Sequence, residues 1–348
     1  MKKKLVIPFI VLLSLFFYIV SSNINKKVSD YDYGVVYSLA HSKSRIVTYD
    51  KSGKLIDDKK LKFGGINLGG FTEVGLKSGD DIYYTDPIYK NHTNNYIVKI
   101  NMNTLKAKEV DAYNIPPTIF CIDDKYAYTG ASNAEGTNIN KTDIKKNKVI
   151  ESTKIDDAGC FLLENKDKLY SINSDKGVQK NCHTNLYILN KSNLKVSDTI
   201  DLGESTYVSD AKIIGENMYA LLYCDGNDEY SNIMLKINLK EKSIEKIKLP
   251  FKHLARMHLH NNNLYVVGYD STDNDTENRI AKVDLKNIEN IKVFEGKSKN
   301  SCSYIHDNKF ISCDGEYIYT YNIDDFKLLD KFEIKQFDDL NFVSFYIK

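Results

Sequence analysis

The segment Leu264–Ile291, LYVVGYDSTDNDTENRIAKVDLKNIENI, decides the fold, because variants of it recur along the chain. It opens on a short apolar strand, Leu264–Gly268, passes through a polar loop, Asp270–Asn278, and returns in a strand closing on Val283-Asp284. A further strand follows around Ile288–Phe294. A unit this small cannot bury its own apolar faces, so several must stack side by side.

The repeat is clearest at the acidic or amide residue that ends each third strand: Asp50, Asn101, Asp143, Asn190, Asn238, Asp284 and Asn322. Successive markers lie 38 to 51 residues apart, within stretches such as VKINMNTLKA, LYILNKSNLK and AKVDLKNIEN. Asp and Asn suit this corner because their side chains accept hydrogen bonds from the backbone two residues on. Upstream of each marker runs an apolar, mostly aromatic second strand: VVYSLA, IYYTDP, YAYTGA, LYSINS, MYALLYC, LYVVGY and, in a shorter last unit, KFISCDG.

Periods of ~40–50 residues with four strands each predict an all-β, seven-bladed β-propeller with four-stranded blades over residues 33–348. The first unit, beginning at Gly34–Ala40 and Arg45–Asp50, lacks an inner strand, whereas the carboxy terminus has a spare one, Asn341–Ile347 (NFVSFYI). If that strand completes the first blade, the ring closes and no sheet edge is left open. Six or eight blades follow only if one unit is misread. The paired glycines Gly64-Gly65 and Gly69-Gly70 have the wrong spacing for a dinucleotide loop and read as turn chemistry.

Tyr83-Tyr84-Thr85-Asp86 and Leu264–Lys286 resemble the repeats of YVTN and quinoprotein-like seven-bladed propellers. The resemblance covers Gly34 to Lys348 as a pattern of strands and corners and transfers no functional residue. Trp is absent, so the tryptophan-rich signatures of quinone-dependent dehydrogenases and WD repeats are missing.

Residues 1–22 read as an export signal or a membrane anchor. Lys2, Lys3 and Lys4 precede an apolar run, Leu5–Val20, and Val20-Ser21-Ser22 offers small residues for cleavage. Residues 23–32 form a polar linker. Either way the expected location is extracytoplasmic, secreted or anchored to the membrane by an uncleaved amino terminus. Removing the three lysines takes the formal net charge from +1 to −2, and the only arginines are Arg45, Arg256 and Arg279. Neither feature suits nucleic acid, which is bound through positive fields and bidentate Arg.

Three constellations are candidates for chemistry. On Arg256-Met257-His258-Leu259-His260, period-two alternation puts Arg256, His258 and His260 on one face of an inner strand, where they point to a channel-mouth site. Asp273, Asp275 and Glu277 alternate as in calcium loops, but Asn278 stands where such loops need glycine and Asp284 where they prefer Glu. Calcium is therefore the one cofactor considered, and a solvated acidic loop is the plainer reading. Cys302 and Cys313 face each other if Asp307-Asn308 is a two-residue turn, a separation a disulfide can span.

Long polar loops at Pro87–Asn94, Ala131–Asn140, Ser174–Thr184, Asp225–Ser231 and Asp270–Asn278 are expected on one rim. The expected function is a non-enzymatic scaffold that binds a protein, peptide or glycan through that rim. The alternative is a lactonase- or lyase-like enzyme working near His258.

Overall fold

The computed structural model describes residues 28, 30–39, 43–63, 65–66, 75–85, 96–112, 117–133, 135–175, 182–204, 208–224, 229–269, 278–298 and 302–348. Blade 1 contains β1 (Tyr33–Leu39), β2 (Lys43–Tyr49) and β3 (Leu55–Leu61). Blade 2 contains β4 (Leu76–Ser78), β5 (Asp81–Thr85), β6 (Tyr96–Asn101) and β7 (Lys106–Asp111). Blade 3 contains β8 (Ile119–Ile122), β9 (Tyr126–Asn133), β10 (Gly136–Asp143) and β11 (Lys148–Ile155). Blade 4 contains β12 (Ala158–Asn165), β13 (Lys168–Ser174), β14 (His183–Asn190) and β15 (Val196–Glu204).

Blade 5 contains β16 (Val208–Ile214), β17 (Asn217–Leu222), β18 (Ile233–Asn238) and β19 (Ile244–Lys248). Blade 6 contains β20 (Leu254–His260), β21 (Asn263–Gly268), β22 (Arg279–Asp284) and β23 (Asn287–Glu295). Blade 7 contains β24 (Ser303–His306), β25 (Lys309–Cys313), β26 (Tyr317–Asn322) and β27 (Leu328–Glu333). The last strand, β28 (Asn341–Ile347), pairs antiparallel with β1 and takes the innermost place of blade 1. The protein is thus a seven-bladed propeller closed by its carboxy-terminal strand, as the deficit and surplus of strands imply.

Strand alternation explains why the blades need one another. In β21, Leu264 and Val266 pack toward blade 5, while Tyr265 and Val267 pack toward blade 7. Each sheet therefore has two apolar faces, and neither is buried until neighbours stand on both sides. Among the described residues seven apolar clusters follow, one at each blade interface.

The marker residues do what their chemistry suggests. Asp50 Oδ1 accepts from the Ser52 N–H at 2.9 Å, Asn238 Oδ1 from Lys240 at 3.0 Å, Asp284 Oδ1 from Lys286 at 2.9 Å and Asn322 Oδ1 from Asp324 at 2.8 Å. In five blades the turn ends on a left-handed residue whose N–H bonds the marker carbonyl: Gly53, Leu105, Leu194, Lys242 and Phe326. Leu105 and Leu194 are fully buried, so packing holds them in a conformation that a branched side chain disfavours.

One expectation fails. Ala131–Asn140 is not a long loop, because β9 runs on to Asn133 and β10 restarts at Gly136. Asn133 Oδ1 caps the Glu135 N–H at 2.9 Å, and Gly136 (φ +122°) packs so closely on the Ile155 carbonyl that a Cβ would not fit. The strand escapes notice because its buried positions are polar. Thr137 and Asn140 are buried with their hydrogen bonds made, to Asp157 O at 2.7 Å and Ala112 O at 3.0 Å.

Candidate functional site: the central channel

In this ring the turns between first and second strands, and between third and fourth, fall on one rim. Second-to-third connections and blade-to-blade crossings fall on the other. The turn rim is tight throughout. On the opposite rim, β5 and β6, β13 and β14, β17 and β18, and β21 and β22 are separated along the chain by residues 86–95, 175–182, 223–232 and 269–278. Inside the ring, innermost strands from six blades enclose a cavity of about 320 Å³.

The cavity wall carries an uneven set of charges. Lys77 comes from β4, Asp210 and Lys212 from β16, and Arg256 and His258 from β20. Asp210 is engaged with the backbone of the next blade, its Oδ2 accepting from the Met257 N–H at 2.8 Å. Ser209 Oγ adds a second tie by donating to the Leu254 carbonyl at 2.6 Å. Lys77 Nζ donates to the Ile347 carbonyl at 3.1 Å, and burial pulls its pKa below the usual lysine value. Between these groups the wall is apolar, with Phe120, Phe161, Leu163 and Met257.

Of the inner-strand trio, Arg256 and His258 face the cavity and His260 does not. A bulge at Ala255 falls between the Leu254 and Arg256 pairings, and from Arg256 to His260 the register is unbroken. His258 Nε2 lies 2.8 Å from Ser303 Oγ on the next blade, and its ring meets Phe310 edge-on at 6.1 Å. Burial, reinforced by the nearby Lys212 and Arg256 charges, pushes the His258 pKa down to about 3. His258 is therefore neutral at ordinary pH, and its partial exposure is toward the cavity it lines. His260 instead bonds Asn308 Oδ1 at 2.9 Å beside the turn rim. Leu259, on the opposite face of β20, is 45% exposed.

Several wall residues were not found from the sequence. Asp210 and Lys212 sit two residues apart on β16, as Arg256 and His258 do on β20, so blade-to-blade alignment of inner strands would have exposed them. Ser303, the hydroxyl partner of His258, gives no such sign.

The hairpin turn at Asp307-Asn308 is present, with both residues left-handed (φ +48° and +55°). His306 pairs with Lys309, Ser303 with Ser312, and the Cys313 N–H donates to the Cys302 carbonyl at 3.0 Å. The two cysteines are thus in register, and none of the six cysteines forms a disulfide. Asp273, Asp275 and Glu277 lie outside the described residues, as do residues 1–27. Among the described residues no group of three or more His, Cys, Asp and Glu is placed to hold a metal ion.

The sequence matches no known protein family and no curated protein. Solved structures do share the architecture. A structure of hydrazine synthase from Kuenenia stuttgartiensis aligns with a TM-score of 0.53 at 12% identity, covering 75% of this chain and 78% of that one. The WD40 domain of Neurospora crassa Pan2 aligns with a TM-score of 0.52 at 10% identity, covering 85% and 94%. At such identities the likeness establishes the β-propeller fold and nothing finer.

Proposed function

We propose that this propeller is a non-enzymatic binding protein of the YVTN or quinoprotein-like type, exported or held at the membrane by residues 1–22. It would engage a protein, peptide or glycan through the long-loop rim. The observation that carries this reading is an aromatic group on that rim between blades 5 and 6. Tyr223 meets Tyr230 edge-on at 5.2 Å, and Tyr230 lies 3.8 Å from the His253 ring. All three are half-buried, and they adjoin the long connections 223–232 and 269–278. His253 is held left-handed (φ +61°), a strained conformation of the kind found at binding sites. Rigid aromatics on a firm scaffold supply contact area at little entropic cost.

The rival reading, a lactonase- or lyase-like enzyme, draws on the His258–Ser303 contact. It is weaker for two reasons. A histidine with a pKa near 3 is a poor general base at neutral pH, and Asp210 bonds backbone rather than the imidazole.

The test uses full-length protein. Tyr230→Ala and replacement of residues 270–277 by a tight turn should each abolish binding on glycan and peptide arrays, with the melting transition kept. Binding unchanged by both variants would overturn the rim assignment. Turnover of lactone or polyuronate substrates, lost in His258→Gln, would establish the enzyme reading instead. Cell fractionation tests the location: with Lys2–Lys4 made neutral, less protein should reach the membrane or medium.

A further inference from the structure

We infer that the turn rim is the face this protein sets against a lipid bilayer carrying anionic headgroups, so that the long-loop rim is presented away from it. This orientation builds on residues 1–22 being a retained anchor, and two features of the ring support it. The first is where the chain enters. The Val28 N–H donates to the Asn103 carbonyl at 2.9 Å and the Tyr31 hydroxyl to the Met102 carbonyl at 2.6 Å, both acceptors lying in the β6–β7 turn. Asp32 then meets the β2–β3 turn, its Oδ2 accepting from the Lys51 N–H at 3.0 Å. The amino terminus therefore leaves from the turn rim. Residues 21–27 alone join Val28 to the apolar run Leu5–Val20, and fully extended they reach at most about 28 Å. Strands such as β6 and β9, of 6 and 8 residues, set the rims about 20–26 Å apart. Turning the long-loop rim to the bilayer would use nearly the whole tether before it rounded the ring.

The second feature is which apolar side chains the strands leave in water. Leu55, Val196, Leu328 and Leu329 open β3, β15 and β27 directly after third-to-fourth strand turns, and all are between 42% and 51% exposed. Leu259 is exposed on the same rim, beside the β20–β21 turn. Among the large apolar residues exposed in the described chain, only Leu39 and Val293 lie toward the other rim. An exposed lysine stands before each turn-rim strand: Lys54, Lys195 and Lys327. An apolar side chain beside an ammonium group suits the headgroup layer, where the first enters the acyl boundary and the second stays with phosphate. Lys26 and Lys27 add two cations to the tether.

The chain has no tryptophan, so a single introduced one reports its own surroundings. Leu329→Trp, Val196→Trp and Val293→Trp, each made in the full chain, are reconstituted with phosphatidylcholine–phosphatidylglycerol vesicles whose acyl chains carry bromine next to the headgroup. Sedimentation reads the anchor, and bromine quenching reads the face that meets lipid. All three proteins should sediment with the vesicles. Leu329→Trp and Val196→Trp should lose at least half of their emission, and Val293→Trp should be quenched several-fold less. Adding Lys54→Glu, Lys195→Glu and Lys327→Glu to the Leu329→Trp chain should at least halve its quenching with sedimentation kept. Sedimenting protein in which Val293→Trp is quenched as strongly as Leu329→Trp, or in which no variant is quenched, would overturn the inference and leave the anchor standing. Quenching untouched by the three charge reversals would overturn the headgroup contact. A chain left in the supernatant would refute the anchor and this orientation with it.

Discussion

The hydroxyls of Tyr31 and Tyr346 lie 3.0 Å apart although 315 residues separate them in the chain. Tyr31 donates onward to the Met102 carbonyl at 2.6 Å, so Tyr346 is the donor in the first bond. The relay joins the closing strand β28, the entry to β1 and blade 2. Burial pushes the Tyr31 pKa up to about 12, which keeps the hydroxyl protonated and donating.

Tyr346 needs a glycine beside it. A Cβ on Gly34 would lie 2.1 Å from the Tyr346 ring, and that ring is fully buried with nowhere to move. Gly34→Ala should destabilise by about 1–3 kcal/mol through overpacking. Tyr346→Phe removes one hydrogen bond and should cost about 1 kcal/mol. Thermal melts of both proteins check this order. A Gly34→Ala protein as stable as wild type would mean that β28 does not pack against β1 as described.

His258 gives stability a pH dependence. Its folded pKa, about 3, lies below the ordinary histidine value of 6.5, so between them the unfolded chain binds the extra proton. The contribution is therefore fully present above pH 6.5 and is lost as pH falls toward 3, at up to about 1.4 kcal/mol per pH unit. His258→Gln should flatten the fall in melting temperature between pH 6.5 and 4. An unchanged pH profile in that variant would contradict a neutral, buried His258.

The ring was legible because its information is local and periodic. Asp50, Asn101 and their counterparts mark corners where a side chain caps its own turn, and the spare strand at Asn341–Ile347 announced closure. The cavity was mostly illegible because its wall is assembled across blades. Arg256 and His258 stood out in the sequence, but Lys77 and Lys212 are far from them in the chain and sit in unremarkable strands. The β9–β10 hairpin was missed because strand periodicity was sought in apolar residues, whereas Thr137, Asn140 and Thr142 bury polar groups satisfied by neighbours.

The register of β24 and β25 makes Cys302 and Cys313 a testable pair. Burial pushes the Cys313 thiol well up, so the folded protein's thiol is protonated and slow to react. A bridge would therefore form while the chain folds in an oxidising compartment, stabilising by roughly 2–3 kcal/mol. Peptide mapping of unreduced protein exported from cells should find Cys302 linked to Cys313. Thiols at both positions in that material would refute the bridge.

Turn chemistry offers a gain in stability. Lys166, between β12 and β13, is exposed and left-handed (φ +52°), a position that favours glycine. Lys166→Gly should stabilise by about 0.5–1 kcal/mol, read from urea unfolding. Destabilisation would show that the turn is assigned wrongly.

Closure of blade 1 by β28 underlies both the rim and the cavity, since each depends on an unbroken ring. The direct measurement is a thermal melt of the chain lacking residues 341–348, beside the intact protein. Without β28 the edge of β1 is exposed and the apolar faces around Val35, Tyr37 and Val47 are laid open. The expected result is loss of the cooperative transition, or aggregation, in the shortened chain. An unchanged transition would contradict the closed ring.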